Sequence, residues 1–416
     1  MNILNSLRRR MAPYARDIDE KHLDVLDGVR VLLSFIVGWY HIWQQSWLMP
    51  IGLVGPFYVN IDYIPRSGYA AVDGLIFLSG LLMFLPYAGT GRSPRPLQYY
   101  KWRLIRIAPA YVLAILVSFF FDALPAHRYA NVWEAARDLL AHFTFTHNLF
   151  PFSYTGSPLN GVLWTLAVEM QAYLLFPWLC RAYQKRPVLT GAGMLAVAFG
   201  YRHFVAGLSD TALLINQLPA FMDIYLLGFI SAGAIVTLRQ RLRNENNTEK
   251  LFFTVLLLLA GALYLWLMRG QAAENGIGNI RLGQMERRFM IGIALSVFSV
   301  SACFSLPVIR FLLGNRAMRF FSVLSYEFYI WHQNLAVHLK EWRLIPSVSE
   351  TPWYDAEAAW QWPYTICCFL FPLILAVILT YGYERPVKRA LERRAEIMDA
   401  MQTDDSLFSA MKEKKL

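Results

Sequence analysis

Ten apolar stretches alternate with polar segments along the chain, at roughly 27–47, 69–88, 107–125, 161–180, 187–206, 212–237, 251–268, 289–306, 320–339 and 363–383. Most approach the ~20 residues that cross a bilayer as a helix. Backbone N–H and C=O groups find no partner in hydrocarbon, so such stretches span as helices. The predicted fold is an all-α, polytopic membrane helix bundle of about ten transmembrane helices. Lys/Arg clusters fall at 92–106, 181–186, 239–243, 310–319 and 385–394. With a cytoplasmic N-terminus all five lie on one side, as positive-inside topology requires, which makes both termini cytoplasmic. The segment 269–288, with four arginines partly offset by Glu274 and Glu286, is the exception. Residues 126–160 carry three histidines and many aromatics; they are too polar to span and either re-enter or lie on the membrane. The expected organisation is a cytoplasmic segment 1–22, a transmembrane domain 23–388 and a charged cytoplasmic tail 389–416.

Composition agrees. The 416 residues are 56% hydrophobic and 16% charged, with a mean hydropathy of +0.35, which excludes an ordinary soluble protein. Thirteen Trp, 22 Tyr and 28 Phe suit two aromatic interface belts. The net charge of +10 sits in short clusters between apolar segments, so it orients the chain and does not point to nucleic acid. Cys180, Cys303, Cys367 and Cys368 form no CxxC pair and read as small buried hydrophobes, without a disulfide framework or metal site. Residues 1–22 lack the pattern of a cleavable signal, so the first span is expected to stay as an anchor. No internal duplication of the transporter kind is visible.

Candidate chemistry centres on the first span, DGVRVLLSFIVGWYHIWQQSW. Arg30 and His41 are eleven residues apart, so on a helix they share one stripe with a rise of ~16 Å. An arginine in a span faces a polar interior or snorkels to the interface; His41 is a candidate base or a packed histidine. Arg103 and Arg106, three apart on the third span, form a candidate phosphate clamp or a positive-inside anchor. Asp73 and Ser79 lie on the second span, and an ionisable group there needs a partner or a wet cavity. Glu169, with Tyr173 four residues on, reads as a buried carboxylate able to orient a histidine or share a proton. His332 shares a stripe with Ser325 and Tyr329. His142, His147 and Asn148 lie in the polar segment, where two histidines five apart are a weak metal signal; no metal is expected.

Together these pieces resemble the acyltransferase-3 family of membrane proteins, from Leu26 to about Lys388. Asp27-Gly28-Val29-Arg30 followed by His41 is similar to the family's first-helix motif, and Val72 to Gly80, with Asp73 and Ser79, to its second-helix motif. Arg103-Leu104-Ile105-Arg106 with Pro109 resembles its arginine pair. Asn148 and the run Trp164 to Tyr173, Ser325 to His332 including Tyr329, and Glu384-Arg385-Pro386 match later motifs. Met170 stands where the family has a second glutamate, and Gly74 interrupts the second-helix pattern; the first departure argues against a paired-carboxylate role.

The resemblance implies transfer of an acyl group, acetyl being expected, from cytoplasmic acyl-CoA to a hydroxyl of a carbohydrate, a lipid-linked glycan or another envelope acceptor. Arg30, Arg103 and Arg106 would bind the donor and His41 would act as base. Glu169 or Asp73 would hold the imidazole's tautomer, the choice being open. Asp27, Ser79, Asn148, Trp164, Tyr173, Tyr329 and His332 complete the candidates. The implied setting is a bacterial cytoplasmic (inner) membrane, with lipids and a homo-oligomer as compatible partners. No extra hydrolase-like domain is expected after the last span. A transporter or flippase for a glycolipid or polysaccharide unit, and an envelope scaffold with degenerate chemistry, are the competing classes.

Overall fold

The computed structural model describes residues 23–53, 59–242, 246–274 and 280–397. The expected segment 1–22 and the end of the tail lie outside the described residues. Helices of eight or more residues are, in chain order, α1 (Val25–Ser46), α2 (Ala71–Phe84), α3 (Pro96–Ser118), α4 (Val132–Phe143), α5 (Trp164–Lys185), α6 (Pro187–Ala206), α7 (Met222–Arg241), α8 (Asn247–Ala273), α9 (Ile280–Phe304), α10 (Pro307–Gly314), α11 (Arg316–Glu341) and α12 (Ala358–Leu379). The helix of α12 runs on through a π turn, Thr380–Glu384, as far as Ile397. Strand structure among the described residues is one two-residue antiparallel ladder, Gly52–Leu53 with Val59–Asn60.

Among the described residues eight helices are long and apolar enough to cross a membrane: α1, α3, α5 to α9, and α12 with its extension. The chain is therefore an all-α polytopic membrane bundle. The other two expected spans also form helices. At 14 residues α2 is short, extended by one 3₁₀ turn from Gly68, and α11 intersperses polar residues such as Ser322, Ser325, Glu327, His332 and Gln333 among its apolar ones. Most of α2 and one long face of α11 are buried, and a helix shielded from lipid by its neighbours need not be apolar all round.

The first helix is the common wall. It packs against α11, α10, α2 and α12. Two glycines let its neighbours approach. A Cβ on Gly28 would lie 2.2 Å from the carbonyl oxygen of Leu313, and one on Gly38 would lie 2.8 Å from the ring of Phe328. Phe35 fixes the same contact, meeting Phe321, Phe328 and Phe369 edge-on at 5.8, 5.1 and 6.4 Å.

Two segments differ from expectation in detail. Helix α9 begins at Ile280, nine residues before the apolar stretch suggests, because two arginines of the exceptional 269–288 segment are neutralised. Arg287 pairs with Glu274 and Arg288 with Asp73. Within 126–160, α4 leaves Val132, Trp133, Leu140 and Phe143 exposed while Asp138, Ala141 and His142 are buried. That is the amphipathic form of an interfacial helix.

The Gly28 contact yields a prediction. Its clashing atom belongs to backbone and cannot move aside, so Gly28→Ala should lose about 1–3 kcal/mol by overpacking. Gly193, which has nothing within 4 Å of an added Cβ, should accept alanine without loss. Equal thermal unfolding of the two variants in detergent would contradict the close approach of α1 to α10.

Candidate active site

The inner part of the site gathers where α1, α2, α3 and α5 meet. Glu169 and Tyr173, one turn apart on α5, are hydrogen-bonded, with the Tyr173 hydroxyl donating to Glu169 Oε1. The hydroxyl of Ser79 on α2 donates to the same oxygen at 2.8 Å. Arg103 lies over the rings of Tyr173, at 4.6 Å, and Tyr99, at 5.1 Å. Its guanidinium is thus fixed by aromatic faces. Asp27 accepts from the hydroxyl of Ser322 at 2.7 Å, which ties the start of α1 to α11.

Arg30 and Arg106 differ from the other arginines nearby. They lie within each other's electrostatic reach, and Arg30 also senses Asp27, Glu169 and Tyr173. Among the described residues neither guanidinium makes a hydrogen bond or an ion pair. Both are only half-buried, as are Ser79, Arg103, Trp164 and Glu169. This partial accessibility, shared by polar side chains of α1, α2, α3 and α5, marks a polar seam.

The outer part of the site is a pair of imidazoles. His41 Nδ1 lies 2.8 Å from His332 Nε2, with ring centroids 5.0 Å apart. His332 Nδ1 is 3.2 Å from the carbonyl oxygen of Phe328. His332 is fully buried, whereas His41 is half-buried. Tyr329 lies between the two parts: its ring is 5.6 Å from that of His332, and it is within electrostatic reach of Glu169. Trp164 stands alongside, stacked near Phe221 at 6.3 Å.

Two candidates lie elsewhere. Asp73 is enclosed against Arg288, Nε to Oδ1 3.1 Å, and its second oxygen has no partner. Arg288 also donates to the carbonyl of Ile215 at 3.0 Å and covers the ring of Phe221. Beside them Arg202 pairs with Asp223, which completes a buried quartet of two aspartates and two arginines. Arg202, Asp223 and Arg288 escaped the sequence reading, although an arginine inside an apolar stretch is itself a signal. Asn148 is a latch: it donates to Gln217 Oε1 at 3.2 Å and accepts from Gln171 Nε2 at 2.8 Å. Neither Glu169 nor Asp73 contacts His41; the partner of that imidazole is His332.

The two loop histidines are stacked, His142 on His147 at 4.1 Å and 7°, and Asp138 lies 3.1 Å from His142 Nδ1. Asp138 also accepts from Ser153, Ser157 and Tyr129. Ser153 therefore bonds the carboxylate, with its Oγ also 3.4 Å from His142 Nδ1. Among the described residues no group of three or more His, Cys, Asp or Glu side chains could hold a metal ion.

A bundle that holds a partly accessible cluster of guanidiniums and a carboxylate, with a histidine pair reached from the same first helix, is the frame of a membrane enzyme or carrier, and comparison separates the two. The family model described as an acyltransferase domain, of the acyltransferase-3 type, matches residues 23–382; the chain belongs to that family and is an integral membrane acyltransferase. It is 23% identical over 307 residues to ORF330 of Acidianus two-tailed virus, which carries a provisional acetyltransferase name, across 73% of this chain and 80% of that protein. It is 27% identical over 226 residues to the peptidoglycan O-acetyltransferase OatA of Listeria monocytogenes serovar 1/2a, across 48% of this chain and 31% of that longer protein. No solved structure matches it.

The loop cluster gives a pH prediction. Burial, then the neighbouring His142, lowers the His147 pKa from 6.5 to about 3. Burial opposes ionisation of Asp138, but hydrogen bonds from His142, Ser153 and Ser157 outweigh it and hold that carboxyl below its usual value. Both groups bind more protons unfolded than folded. Stability of this segment is therefore complete above about 6.5 and falls as pH drops below it. Proteolysis between α4 and α5 should be faster at pH 5 than at pH 7.5, and His147→Gln should flatten the difference. A rate that does not change with pH in the unaltered protein would refute this.

Proposed function

We propose that this protein transfers an acyl group, acetyl being the expected one, from cytoplasmic acyl-CoA to a hydroxyl of a glycan or another envelope acceptor. The observation that carries the reading is the pair of unpartnered guanidiniums, Arg30 and Arg106, with Arg30 on the same stripe of α1 as His41. Asp27 and Glu169 lie within electrostatic reach of Arg30, and Glu384 of Arg106, but none of them bonds either guanidinium, which leaves both forks open to a further anion. Planar forks of N–H donors suit the phosphates of a CoA thioester. Both residues belong to the ends of α1 and α3 that positive-inside topology assigns to the cytoplasm, where the donor would be met. Arg103 takes a different part. Clasped by Tyr99 and Tyr173, it orients the Tyr173–Glu169 pair more than it offers a free fork.

In the proposed reaction the acceptor oxygen attacks the thioester carbonyl while His41 Nε2 takes the hydroxyl proton. The carbon–sulfur bond then breaks, and the CoA thiolate leaves with the acyl group now joined to the acceptor oxygen as an ester. The guanidiniums offset charge gathering on the carbonyl oxygen. The glycan acceptor is supported by the name of OatA, a peptidoglycan O-acetyltransferase, and the setting we propose is a bacterial cytoplasmic membrane. Segments 1–22 and 389–416 are the cytoplasmic flanks of the transferase domain in this reading.

His41→Ala in folded, membrane-inserted protein should lower acyl transfer by roughly 10²–10⁴-fold, the range supplied by a positioned general base. Transfer at the unaltered rate would remove His41 from the reaction. Arg30→Ala and Arg106→Ala should each weaken acyl-CoA binding about tenfold to a hundredfold, the equivalent of one charge-assisted contact. Arg103→Ala should affect turnover more than donor affinity. Unchanged acyl-CoA affinity in the Arg30/Arg106 double variant would refute the donor site.

A further inference from the structure

We infer that His332 is a positioning residue that fixes His41 in the one neutral tautomer able to act as a base toward the seam. The inference rests on the reading of His41 given above and follows from donor and acceptor accounting. The carbonyl of Phe328 can only accept, so the His332 Nδ1 that lies 3.2 Å from it carries the hydrogen. A neutral imidazole has one N–H, which leaves His332 Nε2 as a lone pair. That lone pair is 2.8 Å from His41 Nδ1, so His41 carries its own hydrogen on Nδ1. Its Nε2 is then bare, and among the described residues it has no hydrogen-bond partner and is not enclosed. A backbone carbonyl one turn earlier on α11 thus decides, through two rings, which nitrogen of His41 meets the acceptor.

The surroundings hold this arrangement still. The ring of Phe328 lies against that of His332 at 5.6 Å and 20°. Phe328 itself fills the space that Gly38 leaves open on α1. When His41 takes a proton on Nε2, its Nδ1–H still donates to His332 Nε2, so the imidazolium forms without any hydrogen bond being exchanged. A buried carboxylate does this for the histidine of a Ser-His-Asp triad. Here a neutral imidazole does it, and the carboxylates expected for the role are otherwise engaged, Glu169 with Tyr173 and Ser79 and Asp73 with Arg288.

The test compares three substitutions in the full-length protein, with kcat and acyl-CoA KM measured beside thermal unfolding. His332→Gln keeps a side-chain acceptor at a similar reach and should stay within about threefold of the unaltered kcat. His332→Leu removes the acceptor. His332→Asn can bond the Phe328 carbonyl but falls short of His41. Both should lose roughly tenfold to a hundredfold in kcat with KM unchanged, a share of the ~10²–10⁴ of general-base catalysis. If His332→Leu fails to fold, the Gln and Asn pair carries the comparison. Unaltered kcat in His332→Asn alongside inactive His41→Ala overturns the positioning role and leaves the base in place. Equal loss in the folded Gln and Asn variants also overturns it, because packing and not the acceptor would then matter. Active His41→Ala would instead overturn the functional reading itself.

Discussion

Charge inside hydrocarbon must be answered by charge or by water, and that constraint sorts the arginines of this protein. Arg288 and Arg202 lie deep in the bundle, each against an aspartate, and their quartet sums to no net charge. Removing one member would strand another, which is costly in a low-dielectric interior. Arg103 is answered by two aromatic faces. Arg30 and Arg106 lie within electrostatic reach of Asp27, Glu169 and Glu384, but among the described residues no hydrogen bond or ion pair engages their donor forks. The residues that hold the fold together are those whose charge is already matched. The residues of the proposed donor site are those whose donor forks are not engaged.

Helix α1 joins the two parts of the site because of its period. Eleven residues bring Arg30 and His41 to the same side at different depths, so one rigid element offers a cation near its first turns and an imidazole near its last. Its partner α11 needs close contact, which Gly38 permits, so that His332 can reach His41. Tyr329, one turn before His332, then looks back toward Glu169. Packing between α1, α5 and α11 thus brings together the residues of the proposed donor site and the proposed base.

Much of this was legible in the residues. Ten apolar stretches became ten helices, though α2 and α11 fall outside the criterion of length and apolarity because they are sheltered inside the bundle. The Arg30/His41 stripe, the Glu169–Tyr173 turn and the grouping of Ser325, Tyr329 and His332 on α11 follow from helical spacing alone. What spacing does not report is which helices touch. Asp73 and Glu169 looked alike as supports for His41, since both are carboxylates within spans. Asp73 turns instead to Arg288, 215 residues away, and the partner of His41 comes from α11, 291 residues away.

The sequence by itself determined the membrane setting, the helical class and the polar stripes, because those depend on local hydropathy and on a fixed helical period. Only the tertiary structure decided which guanidiniums stay unmatched and which nitrogen of His41 is bare. Those properties belong to pairs of side chains from separate helices, brought together by glycine-sized gaps and aromatic contacts, and neither period nor composition carries that information.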